Sequence, residues 1–141
     1  MDETEFLEKL ESMTLSPEMF DHKGHLWLGW LYIRDLELGD AANKLNSGIK
    51  KYAASLGATD KFHYTLTTTF ACAIKYRYKN NETFEQFLES NDDLVKDAIS
   101  VIQTHYSPEL LFSPEAKVKL VKPDREPFPK EFETQLEKFA V

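Results

Sequence analysis

Histidine is the residue type in this chain with the widest chemical reach, and its spacing is suggestive. His22 and His25 stand three apart in FDHKGHLWLGW, and positions i and i+3 share one face of a helix. At about 100° per residue, His25, Leu26, Gly29, Ile33 and Leu36 all fall within about 60° of His22. That is one apolar stripe with two imidazoles at its N-terminal end. Gly29 lies on the stripe, one turn beyond His25. A glycine inside a helix costs about 1 kcal/mol, so it implies close approach of another helix or room for a ligand. In KFHYTLTTTFACAI, Leu66, Thr67, Phe70 and Ile74 lie on the same face as His63, again with histidine at the N-terminal end. In an up-down bundle, two helices separated by one other run parallel, which would gather His22, His25 and His63 at one end of the core.

Three neutral imidazoles with an open position suit a divalent metal, zinc, copper or iron(II). The metal ligands expected on this reading are His22, His25 and His63. Gly29, Thr67 and Tyr106 would complete the pocket, with Thr67 and Tyr106 orienting a small substrate and Asp21 as a further partner. The same histidines without metal would be acid/base groups, since an unperturbed imidazole titrates at pH ~6.5. A third reading makes them core residues satisfied by carbonyls and hydroxyls. His105, before Ser107, and Lys61 read as surface or structural groups. No phosphate loop, nucleophile elbow or Glu-x-x-His pair is present.

The elements that must position these groups follow from the pattern. Phe6, Leu7 and Leu10 predict a short N-terminal helix over 3–13. Ser16-Pro17-Glu18 reads as a helix start, and the long helix runs from there or from about 22 to 38, with Gly39 as its stop and Asp40 capping the next. Helices follow at 41–56, ended by Gly57, and at 61–78, capped by Thr59 or Asp60. The KNNET turn (79–83) precedes a short helix capped by Thr83, and another spans 92–105. Two Ser-Pro-Glu cassettes, at 107–109 and 113–115, predict two short helices. VKPDREPFP (121–129) reads as extended surface chain anchored by Phe128, and KEFETQLEKF (130–139) as a closing helix. No hairpin turn or sustained alternation appears. The expected fold is all-α: a single-domain irregular bundle of about six helices, with an N-terminal helix (1–14), a core bundle (20–105) and capping helices with the Pro-rich segment (106–141).

Composition limits the function. The 141 residues suit one domain with one core, and 42% are apolar and 13% aromatic. The 17 basic against 24 acidic side chains give a net charge of −7, the opposite of a nucleic-acid-binding footprint. The single Cys72, in the apolar stretch TTFACAI, predicts an inert buried thiol. The acidic N-terminus has no signal-peptide pattern and no run reaches the ~20 apolar residues of a bilayer span, so the expected setting is the cytoplasm.

The segments F-D-H-x-x-H-L-x-L-x-W-L-Y, G-I-K-K-Y-A, K-F-H-Y-T-L-T, Y-S-P-E-L-L and P-D-R-E-P-F-P, spread over residues 20–128, resemble a group of small uncharacterised bacterial all-helical proteins that share HxxH and K-[FY]-H-x-T motifs. In that group the latter motif reads Lys-Tyr-His-Glu-Thr; here Tyr64 stands where the glutamate would be. The group has no established activity, so the resemblance implies a fold and draws attention to the same histidines without implying a reaction.

The expectation is therefore a small soluble helical protein with a histidine-lined pocket, acting as a divalent-metal-dependent enzyme or a small-molecule-binding protein. A small-molecule ligand is the expected partner, with no nucleic acid and no membrane; a homodimer and a monomer are both open. The alternative is a helical interaction module without catalysis, using an aromatic patch around Trp27.

Overall fold

A computed structural model describes residues 1–137, whose regular elements are all helices, with no strand among them. The bundle is built on three helices that all pack on one another: α2 (His22–Asp35), α3 (Leu38–Ser55) and α4 (Tyr64–Arg77). α1 (Glu3–Glu11) covers one side through Phe6 and Leu10, both buried. Short helices follow α4: α5 (Phe84–Ser90), α6 (Asp92–Lys96), α7 (Ala98–Ile102), α8 (Pro108–Leu111) and α9 (Pro114–Val118), before α10 (Lys130–Glu137). The expected last turn of the closing helix, at 138–139, lies outside the described residues.

The all-α architecture is as the sequence predicts, but it has ten helices among the described residues rather than about six. The added boundaries come from side chains that compete for the backbone. The expected 92–105 helix breaks at Asp97, whose carboxylate accepts the Ser100 amide at 3.2 Å and starts α7 afresh. Ser16 and Pro17 begin only a 3-10 turn, Pro17–Met19. Asp21 is the true cap of α2, accepting the Gly24 amide at 2.9 Å. α2 ends at Asp35, with Leu36 extended, so Gly39 and Asp40 lie inside the first turn of α3 instead of stopping one helix and capping the next. Gly57 does terminate α3. Its φ of +71° is readily reached without a Cβ, and the Ala58 amide closes back on the Ala53 carbonyl at 2.8 Å.

α4 is helical despite its Thr65-x-Thr67-Thr68-Thr69 run, and three of the four hydroxyls are occupied, two by tertiary bonds and one within the helix. Thr65 donates to the Lys119 carbonyl at 2.7 Å, Thr69 to the Thr65 carbonyl at 2.8 Å, and Thr68 accepts from the Asn46 amide at 2.9 Å. Packing overrides a local preference of a few tenths of a kcal/mol per residue.

α2 and α4 run parallel, as an up-down arrangement requires. Along their contact, the His22 ring lies 5.9 Å from the Phe70 ring, and the Trp30 ring lies 6.2 Å from the Tyr78 ring. Between them Gly29 faces Ile74: a Cβ built on Gly29 would stand 2.5 Å from Ile74 Cδ1 and 3.8 Å from Leu45 Cδ2. The glycine on the α2 stripe therefore serves close helix packing and not a ligand cavity.

Candidate functional site

Each histidine has its own backbone partner, and the partners lie on different elements. A carbonyl can only accept, so each bond fixes which ring nitrogen carries the proton. His22 Nε2–H donates to the Leu94 carbonyl on α6 at 3.0 Å. His25 Nδ1–H donates to the Asp21 carbonyl at 2.7 Å, and its ring stacks on Phe20 with centroids 3.9 Å apart. His63 Nε2–H donates to the Leu111 carbonyl on α8 at 2.6 Å. His105 Nδ1–H donates to the Glu126 carbonyl at 2.6 Å.

His63 is also the N-cap of α4, its Nδ1 accepting the Leu66 amide at 3.0 Å. Thr59 and Asp60, the expected caps, form a separate 3-10 turn with Lys61. Both nitrogens of His63 are thus engaged, and no lone pair remains for a metal. The expected three-histidine centre does not form: among the described residues no group of three or more His, Cys, Asp or Glu side chains is placed to hold a metal ion. The parallel orientation is right but the axial register is not. His22 is level with Phe70, seven residues beyond His63, which is about 10 Å of helix rise. His22 is, moreover, exposed rather than inward.

The other expected pocket residues have structural partners. Tyr106 is fully buried and its hydroxyl donates to the Val121 carbonyl at 2.6 Å. Burial holds its phenol pKa well above the usual range. Thr67 is buried in the core and Gly29 against Ile74. The Pro-rich segment is a latch rather than a loose loop. Asp124 accepts from the Ser107 amide at 2.8 Å and from its hydroxyl at 2.6 Å, and Arg125 donates to the Gln103 carbonyl at 2.9 Å. Cys72 is the buried thiol the sequence predicts, its pKa pushed up to about 12 by burial.

A cleft of about 810 Å³ lies elsewhere, between the C-terminal half of α2 and the 78–83 loop. This is within the range of ligand sites and far above the ~30 Å³ of one water. Trp30, Arg34, Tyr78, Asn81, Glu82 and Glu85 are among its walls. The loop is held at both ends. The Glu82 amide closes a turn on the Lys79 carbonyl at 3.4 Å, with Asn81 left-handed at φ +66°. Thr83 and Gln86 then form a reciprocal capping box at the start of α5.

Two residues of this cleft carry a buried polar atom without a protein partner. Three such side-chain atoms occur among the described residues, and two of them, Trp30 Nε1 and Glu82 Oε1, belong to cleft residues. The Trp30 side chain is only 6% exposed. Both atoms are closed off from the open space of the cleft, with essentially no accessible surface.

The ring faces are largely covered. Trp27 stacks on Phe6 with centroids 4.4 Å apart and on Phe84 at 6.1 Å, and the Arg34 guanidinium lies 5.6 Å from the Trp30 ring centre. Trp27 thus packs against the N-terminal helix, and the exposed aromatic patch expected around it does not form. Arg34 is itself engaged, donating to Glu3 at 2.9 and 3.2 Å and to Asp35 at 2.8 and 3.0 Å. Neither Glu82 nor Glu85 has an ion-pair partner among the described residues.

Sequence reasoning passed over this cleft. KNNET is legible in the sequence only as a turn. The available signal was the i, i+4 pair Trp30 and Arg34, but nothing in the sequence says that the 78–83 loop folds back over it. Compared with known proteins, the chain matches no family model, no curated protein and no solved structure.

Proposed function

We propose that this protein binds a small polar organic molecule in the cleft between α2 and the 78–83 loop. The observation that carries this reading is the 810 Å³ cleft itself, walled by the Trp30 and Tyr78 rings and by the polar side chains of Arg34, Asn81, Glu82 and Glu85. The restrained loop adds to it, because a preformed wall lowers the ordering cost of binding. A histidine-centred metalloenzyme has less support, since His63 has no free lone pair.

The setting fits a reducing cytoplasm: the one thiol is buried, and among the described residues no helix is long and apolar enough to cross a membrane.

The test is a two-dimensional ¹H–¹⁵N spectrum, in which the two indole N–H signals are assigned with Trp27→Phe. A panel of sugars, amino sugars, amino acids, nucleosides and organic acids is added at millimolar concentration. The expected result is a compound that moves the Trp30 indole signal. If every binder leaves Trp30 untouched and moves the His63 region instead, the cleft is not the site.

A further inference from the structure

We infer that α1 is an exchangeable arm whose partner is a second copy of this chain, the two copies trading α1 to form a swapped dimer. The connection after α1 carries the inference. The helix closes in a Schellman turn, the Thr14 amide returning to the Lys9 carbonyl at 2.8 Å and the Met13 amide to the Leu10 carbonyl at 3.0 Å. That turn needs a left-handed residue, and glycine is the usual choice. Here it is Met13, at φ +63°. Asn81, the other non-glycine residue in this region among those described, is of the type that tolerates it, whereas a methionine pays the full Cβ clash. The Met13 side chain is 47% exposed, so core packing does not enforce the conformation. Otherwise the turn is held only by the exposed Ser12 and Thr14 hydroxyls, which bond each other at 2.8 Å and both reach the Lys9 carbonyl.

The strain sits in a short hinge. Leu15 is buried, and its carbonyl accepts from the Tyr52 hydroxyl at 2.7 Å. The chain is therefore fixed on the bundle from Leu15 onward, and only residues 12–14 can turn. Short hinges under strain favour exchange of an element between identical copies. Opening the hinge releases the strain, and the exchanged element re-forms its contacts on the other copy. α1 meets that condition. Its Phe6 ring stacks on Trp27 at 4.4 Å, and Glu3 pairs with Arg34 at 2.9 Å. Glu11 accepts from the Tyr32 hydroxyl at 3.0 Å and lies 3.5 Å from the Lys44 ammonium. These contacts all run from α1 to α2 or α3, so all survive as contacts between copies. Glu3, a wall of the cleft beside α2, is then supplied by the other copy. Three extended residues span roughly 10 Å, so the two bundles meet around their hinges.

The experiment mixes equal amounts of ¹³C-labelled and unlabelled protein, unfolds them together in urea, and refolds them at micromolar or at millimolar concentration. Light scattering then gives the size. The expected result is monomer from the dilute sample and dimer from the concentrated one. In that dimer an isotope-filtered spectrum shows a nuclear Overhauser contact between Phe6 of one copy and Trp27 of the other. Met13→Gly relieves the closed turn without touching any contact of α1. It weakens dimerisation, equilibrated in mild urea, by about fivefold at each hinge and about 25-fold for the two together. Met13→Val, whose branched side chain fits the left-handed region worse, shifts the equilibrium toward dimer. Monomer alone at both concentrations overturns the inference. So does a dimer in which the Phe6–Trp27 contact stays within each chain, which is association side by side. An exchanged dimer that Met13→Gly leaves equally tight overturns the role given to the hinge.

Discussion

Replacing His63 tests whether its two backbone bonds hold the start of α4 and α8 in place. His63 caps α4 by accepting the Leu66 amide at 3.0 Å and anchors α8 by donating to the Leu111 carbonyl at 2.6 Å. His63→Ala removes both. Loss of an N-cap costs about 1 kcal/mol within a range of 0.5–2, and stranding the Leu111 carbonyl costs about 1–3. The expected loss is therefore about 2–4 kcal/mol. His63→Asn separates the two contributions. Asparagine is among the best N-cap residues, so it restores the first bond, but its shorter side chain does not reach Leu111. It should recover about 1 kcal/mol of the alanine loss. The assay is urea unfolding followed by far-UV circular dichroism, comparing midpoints at constant slope. A loss below about 0.5 kcal/mol for His63→Ala, or no recovery with asparagine, would refute the capping account. Neither variant should change metal content, whereas a ligand role would lower it in both.

Two further outcomes follow from the same geometry. Burial holds His63 and His25 below the ordinary imidazole pKa of ~6.5, against the opposing backbone bonds to Leu111 and Asp21. The unfolded chain then binds more protons once the pH drops through about 6.5, so stability is level above that value and falls on acidification until the folded pKa values are passed. Melting temperatures from pH 8 to 5 check this. Asp35 and Asp93, held low by Arg34 and Arg77, add their loss only as the pH approaches about 4, so a curve flat down to pH 5 contradicts the histidine contribution. Gly29→Ala gains about 1 kcal/mol of helix propensity but drives its Cβ against Ile74 Cδ1, at a cost of about 1–3 kcal/mol. The single variant should lose up to about 2 kcal/mol net. Adding Ile74→Val, which removes that methyl, should recover at least about 0.5 kcal/mol relative to additivity in a double-mutant cycle.

The sequence by itself determined the helical class, the places of α1 to α5, the stop at Gly57 and the two Ser-Pro-Glu starts. These rest on interactions within four or five residues: apolar spacing, a capping hydroxyl, a left-handed glycine. Local reading also ranked Cys72 as inert, because an apolar neighbourhood in sequence usually means burial in space. It failed where a side chain had two plausible local roles. Asp97 could face solvent or restart a helix, and Gly39 could stop one helix or open the next.

Only the tertiary structure decided the site. The helical wheel gives the angle at which His22 and His63 leave their helices but not the axial register between the helices, which the close fit of Gly29 against Ile74 fixes. That register separates the two imidazoles, and the surrounding chain then gives each a different carbonyl. The cleft is likewise a product of long-range folding. Trp30 and Glu82 are 52 positions apart, and neither is unusual in its own segment. They become walls of one candidate site because the turn at 79–82 and the capping box at Thr83 fold the loop beside α2.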